Sequence, residues 1–359
     1  MKVVHIVLLS ALCSIAQAEE VKIVGTITTS LKPPAKNSLL STAVTIDPIK
    51  LLKIELSSQA KKNLATRSKK AIAHTHQFST SSLPNKYPRK VTLGMNNVPV
   101  LNQGQHGTCV TFAVTAAMDA LLNKGDYISQ LCQLQLGNYL TNNSYTLSGW
   151  EGSFGRTVLN QTEMFGIVSK AQEAQGCGGL YSYPLEGDEK VDGILSIEDY
   201  HKLSENLEKL IEWSPILDHN QAFADRVDTT QTLNQIKGAL SEGDRVTFGV
   251  LFPSYHLGVA GAIGKYHVEN DTWLLTSEIA RDVFIEPKFA GHEMVITGFD
   301  DDALAYDDHG YEHRGLLILR NSWSEKAGDQ GNFYMSYDYF KLLVIEAARI
   351  RPVDQIEDN

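Results

Sequence analysis

Cys109 stands in Asn102-Gln103-Gly104-Gln105-His106-Gly107-Thr108-Cys109-Val110, after a loop with two glycines and at the head of residues 108–122, a small and apolar run without Pro or Gly. That run predicts a helix. A thiol at a helix N-terminus faces unpaired backbone N–H groups and the positive end of the helix dipole, which together favour a thiolate. Such a cysteine can be a nucleophile, although a lone cysteine also serves as a small buried hydrophobe. His292 heads an apolar run in Gly291-His292-Glu293-Met294-Val295-Ile296-Thr297. An imidazole beside a thiol can take its proton and later give it to a leaving amine. Asn321 follows a second apolar run in Leu319-Arg320-Asn321-Ser322-Trp323, and a side-chain amide can hold an imidazole in one orientation and tautomer. Taken singly, the histidine and the asparagine are each compatible with a structural role.

The elements that must position these groups are legible in outline. Helical patterns occupy residues 108–122 and 196–213. From Arg245 onward β-like runs dominate, including Val246-Thr247-Phe248-Gly249-Val250-Leu251, Met294-Val295-Ile296-Thr297 and Leu316-Leu317-Ile318-Leu319. Helices first and strands later predict an α+β domain rather than alternating βαβ units. Ahead of it, residues 21–30 alternate β-formers, Pro33-Pro34 breaks the pattern, and residues 39–46 resume it, which predicts a hairpin. Residues 49–73 lack Pro and Gly and carry apolar positions at Leu51, Leu52, Ile54, Leu56 and Leu64, which predicts an amphipathic helix opened by Asp47-Pro48. Residues 74–90, with Pro84 and Pro88, read as an extended linker.

Composition bounds the function. The 359 residues are 43% hydrophobic and 21% charged, ordinary globular values that exclude disorder over the whole length. A net charge of −10 argues against general binding to nucleic acid or an anionic membrane. Four cysteines are too few for a disulfide-dense scaffold. Residues 1–18 have a basic start, an apolar centre and Ala16-Gln17-Ala18 as a small-x-small cleavage site, the pattern of a secretory signal peptide. No membrane association is expected once it is removed. Charge then divides the rest. Residues 19–89 hold 12 Lys and Arg against 4 Asp and Glu, whereas residues 90–359 hold 19 against 38. An exported basic segment before an acidic domain predicts a removable pro-segment held partly by opposite charge.

Cys109, His292 and Asn321, in that order, resemble the nucleophile, base and orienting amide of the papain family of cysteine peptidases. The resemblance includes Gln103, six residues before Cys109, at the place of the family's oxyanion-hole glutamine, and Trp323, at the place of the residue that shields the asparagine–histidine contact from water. Looser matches include Tyr183-Pro184-Leu185-Glu186-Gly187 and Asp329-Gln330-Gly331-Asn332-Phe333-Tyr334. Where the family commonly has Cys-Gly-Ser-Cys-Trp, this chain has His106-Gly107-Thr108-Cys109-Val110, a change that removes no reacting group. Cys109 and His292 lie 183 residues apart, against about 130–150 in the family, and an insertion near 188–230 accounts for the excess.

The resemblance implies a papain-like two-part fold, a helical half with Cys109 and a β-barrel-like half with His292, spanning residues 90–359 behind a hairpin and helix pro-segment at 19–89. It implies a secreted cysteine endopeptidase, extracellular or periplasmic, made as an autoinhibited proenzyme, acting on protein or peptide substrates and needing no metal or organic cofactor. Gly152 falls in a Gly-rich strip expected to pair with extended substrate backbone, and Glu293 stands where a side chain would face the pocket for the substrate's P2 residue. Cys132 and Cys177 are expected to form a disulfide. The alternatives are a peptide- or partner-binding protein on the same scaffold, and a thioester acyltransferase. Asp307, Asp308, His309, Glu312 and His313 read as a solvated hairpin around Gly310 rather than a metal site.

Overall fold

The structure, a computed structural model, describes residues 19–29, 48–74, 86–207, 210–253, 271–285, 288–307 and 309–353. The expected signal peptide, residues 39–46 and most of the 74–90 linker lie outside the described residues. The N-terminal segment contributes β1 (Val21–Thr29), β2 (Ile49–Leu56) and α1 (Ser58–His74). A helical part follows with β3 (Lys90–Thr92), α2 (Cys109–Leu122), α3 (Gln130–Asn142), α4 (Gly155–Phe165), α5 (Lys170–Glu173) and α6 (Ile197–Leu203). The remainder is sheet and flanking helices: β4 (Ile211–Leu217), α7 (Thr229–Ser241), β5 (Arg245–Pro253), β6 (Thr272–Trp273), α8 (Ser277–Ile285), β7 (Phe289–Tyr306), β8 (Glu312–Arg320), β9 (Asn332–Ser336), α9 (Tyr337–Leu343) and β10 (Val344–Pro352). The fold is mixed α+β, helices first and strands later.

The described strands form one sheet with the path β4-β10-β5-β7-β8-β9-β6. Its hub is β7, long enough to serve several neighbours. β5 pairs antiparallel with it over residues 289–296 and β8 over 295–306. β5 occupies one edge of β7 at residues 289–291, so β2, which pairs Leu52 with Gly291 and Ile54 with Phe289, must take the other edge, beyond the end of β8. A β1–β2 hairpin thus extends the sheet beside His292. Helix α2 crosses in front, buried at every position from Cys109 to Ala120. Such burial fits a helix that is apolar all round. A second apolar cluster around Leu131, Leu134, Trp150 and Tyr200 holds the helical part, which a Cys132–Cys177 disulfide with Cα atoms 5.1 Å apart also ties.

Two helix expectations are corrected. Residues 49–73 form β2 and then α1, because Ile49, Leu51, Leu52, Ile54 and Leu56 bury their side chains in the pairing with β1 and β7. The helix begins only after Ser57, whose hydroxyl accepts the Ala60 N–H at 3.0 Å as an N-cap. β1 pairs with β2, whereas residues 39–46, the expected second strand of the hairpin, lie outside the described residues. Likewise 196–213 is helical only as α6, capped by Ser196 through the Asp199 N–H at 3.1 Å. Its last residues, 211–213, open β4 (Ile211–Leu217), which among the described strands pairs only with β10, and an edge strand tolerates Pro215. Finally, His313 is not solvated. It is buried, 3.3 Å from Asp307, and no metal-like cluster occurs among the described residues.

Candidate active site

Thr108 ends the loop and Cys109 is the first residue of α2, so the thiol sits at a helix N-terminus. Thr108 occupies the N-cap position with φ −95° and ψ 11°, and its side chain makes no capping bond. The first-turn N–H groups therefore keep their capacity to donate. Across from α2, His292 lies on β7, and Asn321 immediately follows β8. The His292 Nε2 is 2.7 Å from Asn321 Oδ1, and the Ser322 N–H donates to the same oxygen at 2.7 Å. Two bonds to that atom fix the amide orientation. An amide oxygen only accepts, so Nε2 carries the imidazole proton and Nδ1 holds the lone pair. Trp323 stacks on His292 with ring centroids 4.5 Å apart, 26° from parallel, and covers the pair with apolar surface.

Gln103 joins the two parts. Its N–H donates to the Ser322 carbonyl at 2.9 Å, and its Oε1 accepts from the Ser322 hydroxyl at 2.8 Å. Its Nε2 donates to the His106 carbonyl at 2.9 Å and to the Lys50 carbonyl of β2 at 3.3 Å. A peptide carbonyl of the N-terminal segment thus already lies against the amide nitrogen of Gln103.

The same hairpin covers the surrounding surface. The Thr26 hydroxyl donates to Glu151 at 3.2 Å. Gly152, with φ +118°, lies under Ile23 and Leu52, where a Cβ would meet the Leu52 Cδ2 at 2.7 Å. Both the backbone conformation and the close approach require glycine there. Gly291 lies under Ile54 in the same way. Under this cover Cys109 is 0% and His292 1% exposed. Burial pushes the Cys109 thiol up to about 12 and the His292 imidazole down to about 4, the latter against the opposing effect of the bond to Asn321. Desolvation outweighs the helix dipole, and both groups are neutral in this state.

Glu293 follows His292 and points the opposite way along the pleat. It lies in register with Gly249 on β5, which is in register with Glu346 on β10. The absent Gly249 side chain leaves room for both acids: a Cβ there would lie 2.9 Å from a Glu293 carboxylate oxygen and 3.1 Å from the Glu346 Cγ. Burial pushes both carboxyls up, and the charge of Glu346 pushes Glu293 further. Glu346 Oε1 accepts the Gly155 N–H at the start of α4 at 2.9 Å, whereas Glu293 Oε1 has no hydrogen-bond partner. Sequence reasoning missed Ser322 and Glu346. The signal for Glu346 was present, a single acid within the apolar run 342–348.

No protein-family model matches the sequence, and no curated protein matches it. Among solved structures the chain is similar to xylellain, a cysteine protease from Xylella fastidiosa, at 19% identity, 79% of this chain and 89% of that one, with a TM-score of 0.46. It is similar to the Amb a 11 cysteine protease of ragweed pollen in its proform, at 15% identity, 77% of this chain and 62% of that one, TM-score 0.45. It is also similar to procathepsin L 3 of Tenebrio molitor larval midgut, at 14% identity, 80% and 79%, TM-score 0.44.

Proposed function

We propose that the chain is a papain-like cysteine endopeptidase, exported behind the signal at residues 1–18 and held inactive by its N-terminal segment. The observation that carries this reading is the buried His292–Asn321 bond of 2.7 Å beneath Trp323, which leaves Nδ1, itself without a hydrogen-bond partner, as the base on the strand that packs against α2. Cys109 gives its proton to Nδ1 and attacks the scissile carbonyl. Gln103 Nε2 and the Cys109 backbone N–H hold the oxyanion. His292 then protonates the leaving amine, and water hydrolyses the thioester. Asn321 keeps the ring in the required tautomer throughout.

Support for the proenzyme comes from β2, which adds a strand to the free edge of β7 at residues 289–291 and sets the Lys50 carbonyl against Gln103. An extended substrate would use the same edge and the same donor, with Gly152 pairing to its backbone. The Glu293–Glu346 pair supports a preference for a basic side chain in the adjoining pocket, because two buried acids gain from a cation between them.

The test is peptide hydrolysis by the thiol-treated chain, with and without a thiol-directed epoxide, beside Cys109→Ala. Hydrolysis should vanish with either treatment, and activity that survives in Cys109→Ala would overturn the assignment. In a positional library, Glu293→Ala should lose the basic preference. An unchanged preference removes Glu293 from specificity.

A further inference from the structure

Tyr183 lies in the loop between α5 and α6, distant in sequence from Cys109, His292 and Asn321, yet it grips the loop that carries both expected oxyanion donors. Its hydroxyl donates to the Gln103 carbonyl at 2.8 Å and lies 2.8 Å from the Thr108 hydroxyl. A phenol has one hydrogen, and Gln103 takes it, so Thr108 is the donor in the second bond. Burial pushes the phenol well above its usual range, which keeps that hydrogen in place. One oxygen atom therefore ties residue 103 to residue 108, the two ends of the arc.

The ring is held as firmly. It stacks on Trp150 at 5.6 Å and 14°, and meets the edges of Phe112 at 4.9 Å and His106 at 5.9 Å. The neighbouring backbone adds a bond from the Gln105 N–H to the Leu185 carbonyl at 2.8 Å. Gly104 lies so close to Leu185 that a Cβ would sit 2.3 Å from its carbonyl oxygen. The Gly107 N–H donates to the Trp150 carbonyl at 2.9 Å, which fixes the loop to the strip that ends at Gly152. Cys132–Cys177 is the one disulfide among the described residues, so noncovalent contacts hold this loop in register.

This arrangement explains why Thr108, at the N-cap of α2, caps nothing. A threonine there normally turns its oxygen onto the N–H groups of its own helix. Here the hydroxyl is turned to Tyr183, and the first turn of α2 stays open to an anion.

We propose, resting on the peptidase reading, that Tyr183 is a positioning residue for the oxyanion site: its hydroxyl sets the spacing between Gln103 Nε2 and the Cys109 N–H and diverts Thr108 from capping α2. Tyr183→Phe keeps the stacked ring and removes the bridge, and Thr108→Val removes the other half of it. In the thiol-treated chain, Tyr183→Phe should lower kcat by about 10- to 100-fold with KM changed less than about twofold. Affinity for a peptide aldehyde, whose tetrahedral adduct needs the oxyanion donors, should fall by the same factor as kcat/KM. Alkylation of Cys109 by iodoacetamide, which needs no oxyanion site, should stay within about twofold. Thr108→Val should act in the same direction, and the double variant should be little worse than either single one. Unchanged kcat and aldehyde affinity in a folded Tyr183→Phe would overturn the proposal, as would an equal loss in alkylation. A wild-type chain that neither hydrolyses peptides nor reacts with the epoxide at Cys109 would instead overturn the peptidase reading, and this inference with it.

Discussion

The N-terminal segment touches the rest of the protein in two ways that differ in kind. The β1–β2 hairpin lies on the candidate site. It contacts Gln103, Glu151, Gly152 and Gly291, largely through backbone pairing and close approach to glycines. Helix α1 lies away from it, packed on α8 and α9, with Ala60 and Leu64 buried and the Ser68 hydroxyl donating to the Ala280 carbonyl. Its Asn63 amide donates to the Phe223 carbonyl at 2.6 Å, and Arg67 lies over the Phe223 ring at 5.3 Å. The hairpin covers without much side-chain specificity, and the helix anchors by apolar burial. Occlusion and affinity are therefore divided between two elements, and a change in one should be separable from a change in the other.

The strongest way to break this division is at the anchor. Leu64→Ala should weaken docking of the whole segment by about 3 kcal/mol, or roughly a hundredfold, read as faster alkylation of Cys109 in the full-length chain. An unchanged rate would place the anchoring in the hairpin instead. Acidification should act next. The His292 imidazole sits at about 4 under the hairpin and should return toward its ordinary value near 6.5 when uncovered. The covered state then binds fewer protons between those values, so docking weakens as pH falls through that window, by about thirtyfold at pH 5 from this group alone. Hydrogen exchange in β2, corrected for its intrinsic pH dependence, should accelerate accordingly, and a flat profile would mean that the hairpin does not control the burial of His292.

A smaller change at the cover sharpens the contrast. Ile54→Val, over Gly291, should loosen the hairpin by about 1 kcal/mol, roughly fivefold in Cys109 reactivity. Protection of the α1 amides should remain as in the parent. Loss of protection in both elements together would show that they dock as one unit. The smallest effect is expected from Arg89→Ala at the exposed ion pair with Asp302. Solvent screening should leave Cys109 reactivity unchanged, and a clear acceleration would show that opposite charge forms part of the tether.

The candidate site residues were legible because each chemical type stands in a distinctive local setting: a cysteine after a glycine-containing loop, a histidine heading an apolar strand, an asparagine just past another. β2 was not. Its residues 49–56 carry apolar positions that suit one face of a helix as well as two faces of a strand, and only the free edge of β7 decides between them. The end of the 196–213 pattern met the same fate on β10. Tyr183 was noticed only as part of a Tyr-Pro stretch, because nothing local indicates that its hydroxyl reaches residues 75 and 80 positions earlier. Glu346 belongs to the same class, its partner Glu293 standing two strands away in the sheet.

The sequence by itself determined which side chains could do chemistry, where α2 begins, and that a basic segment precedes an acidic domain. These are local properties of residue type, periodicity and charge. Tertiary structure decided the rest: that β2 carries a carbonyl to Gln103, that Cys109 and His292 are both neutral beneath it, and that Glu293 faces another acid. The physical reason is that burial and strand pairing are set by distant residues brought together in the fold. Desolvation then overrides the local helix dipole that the sequence made visible.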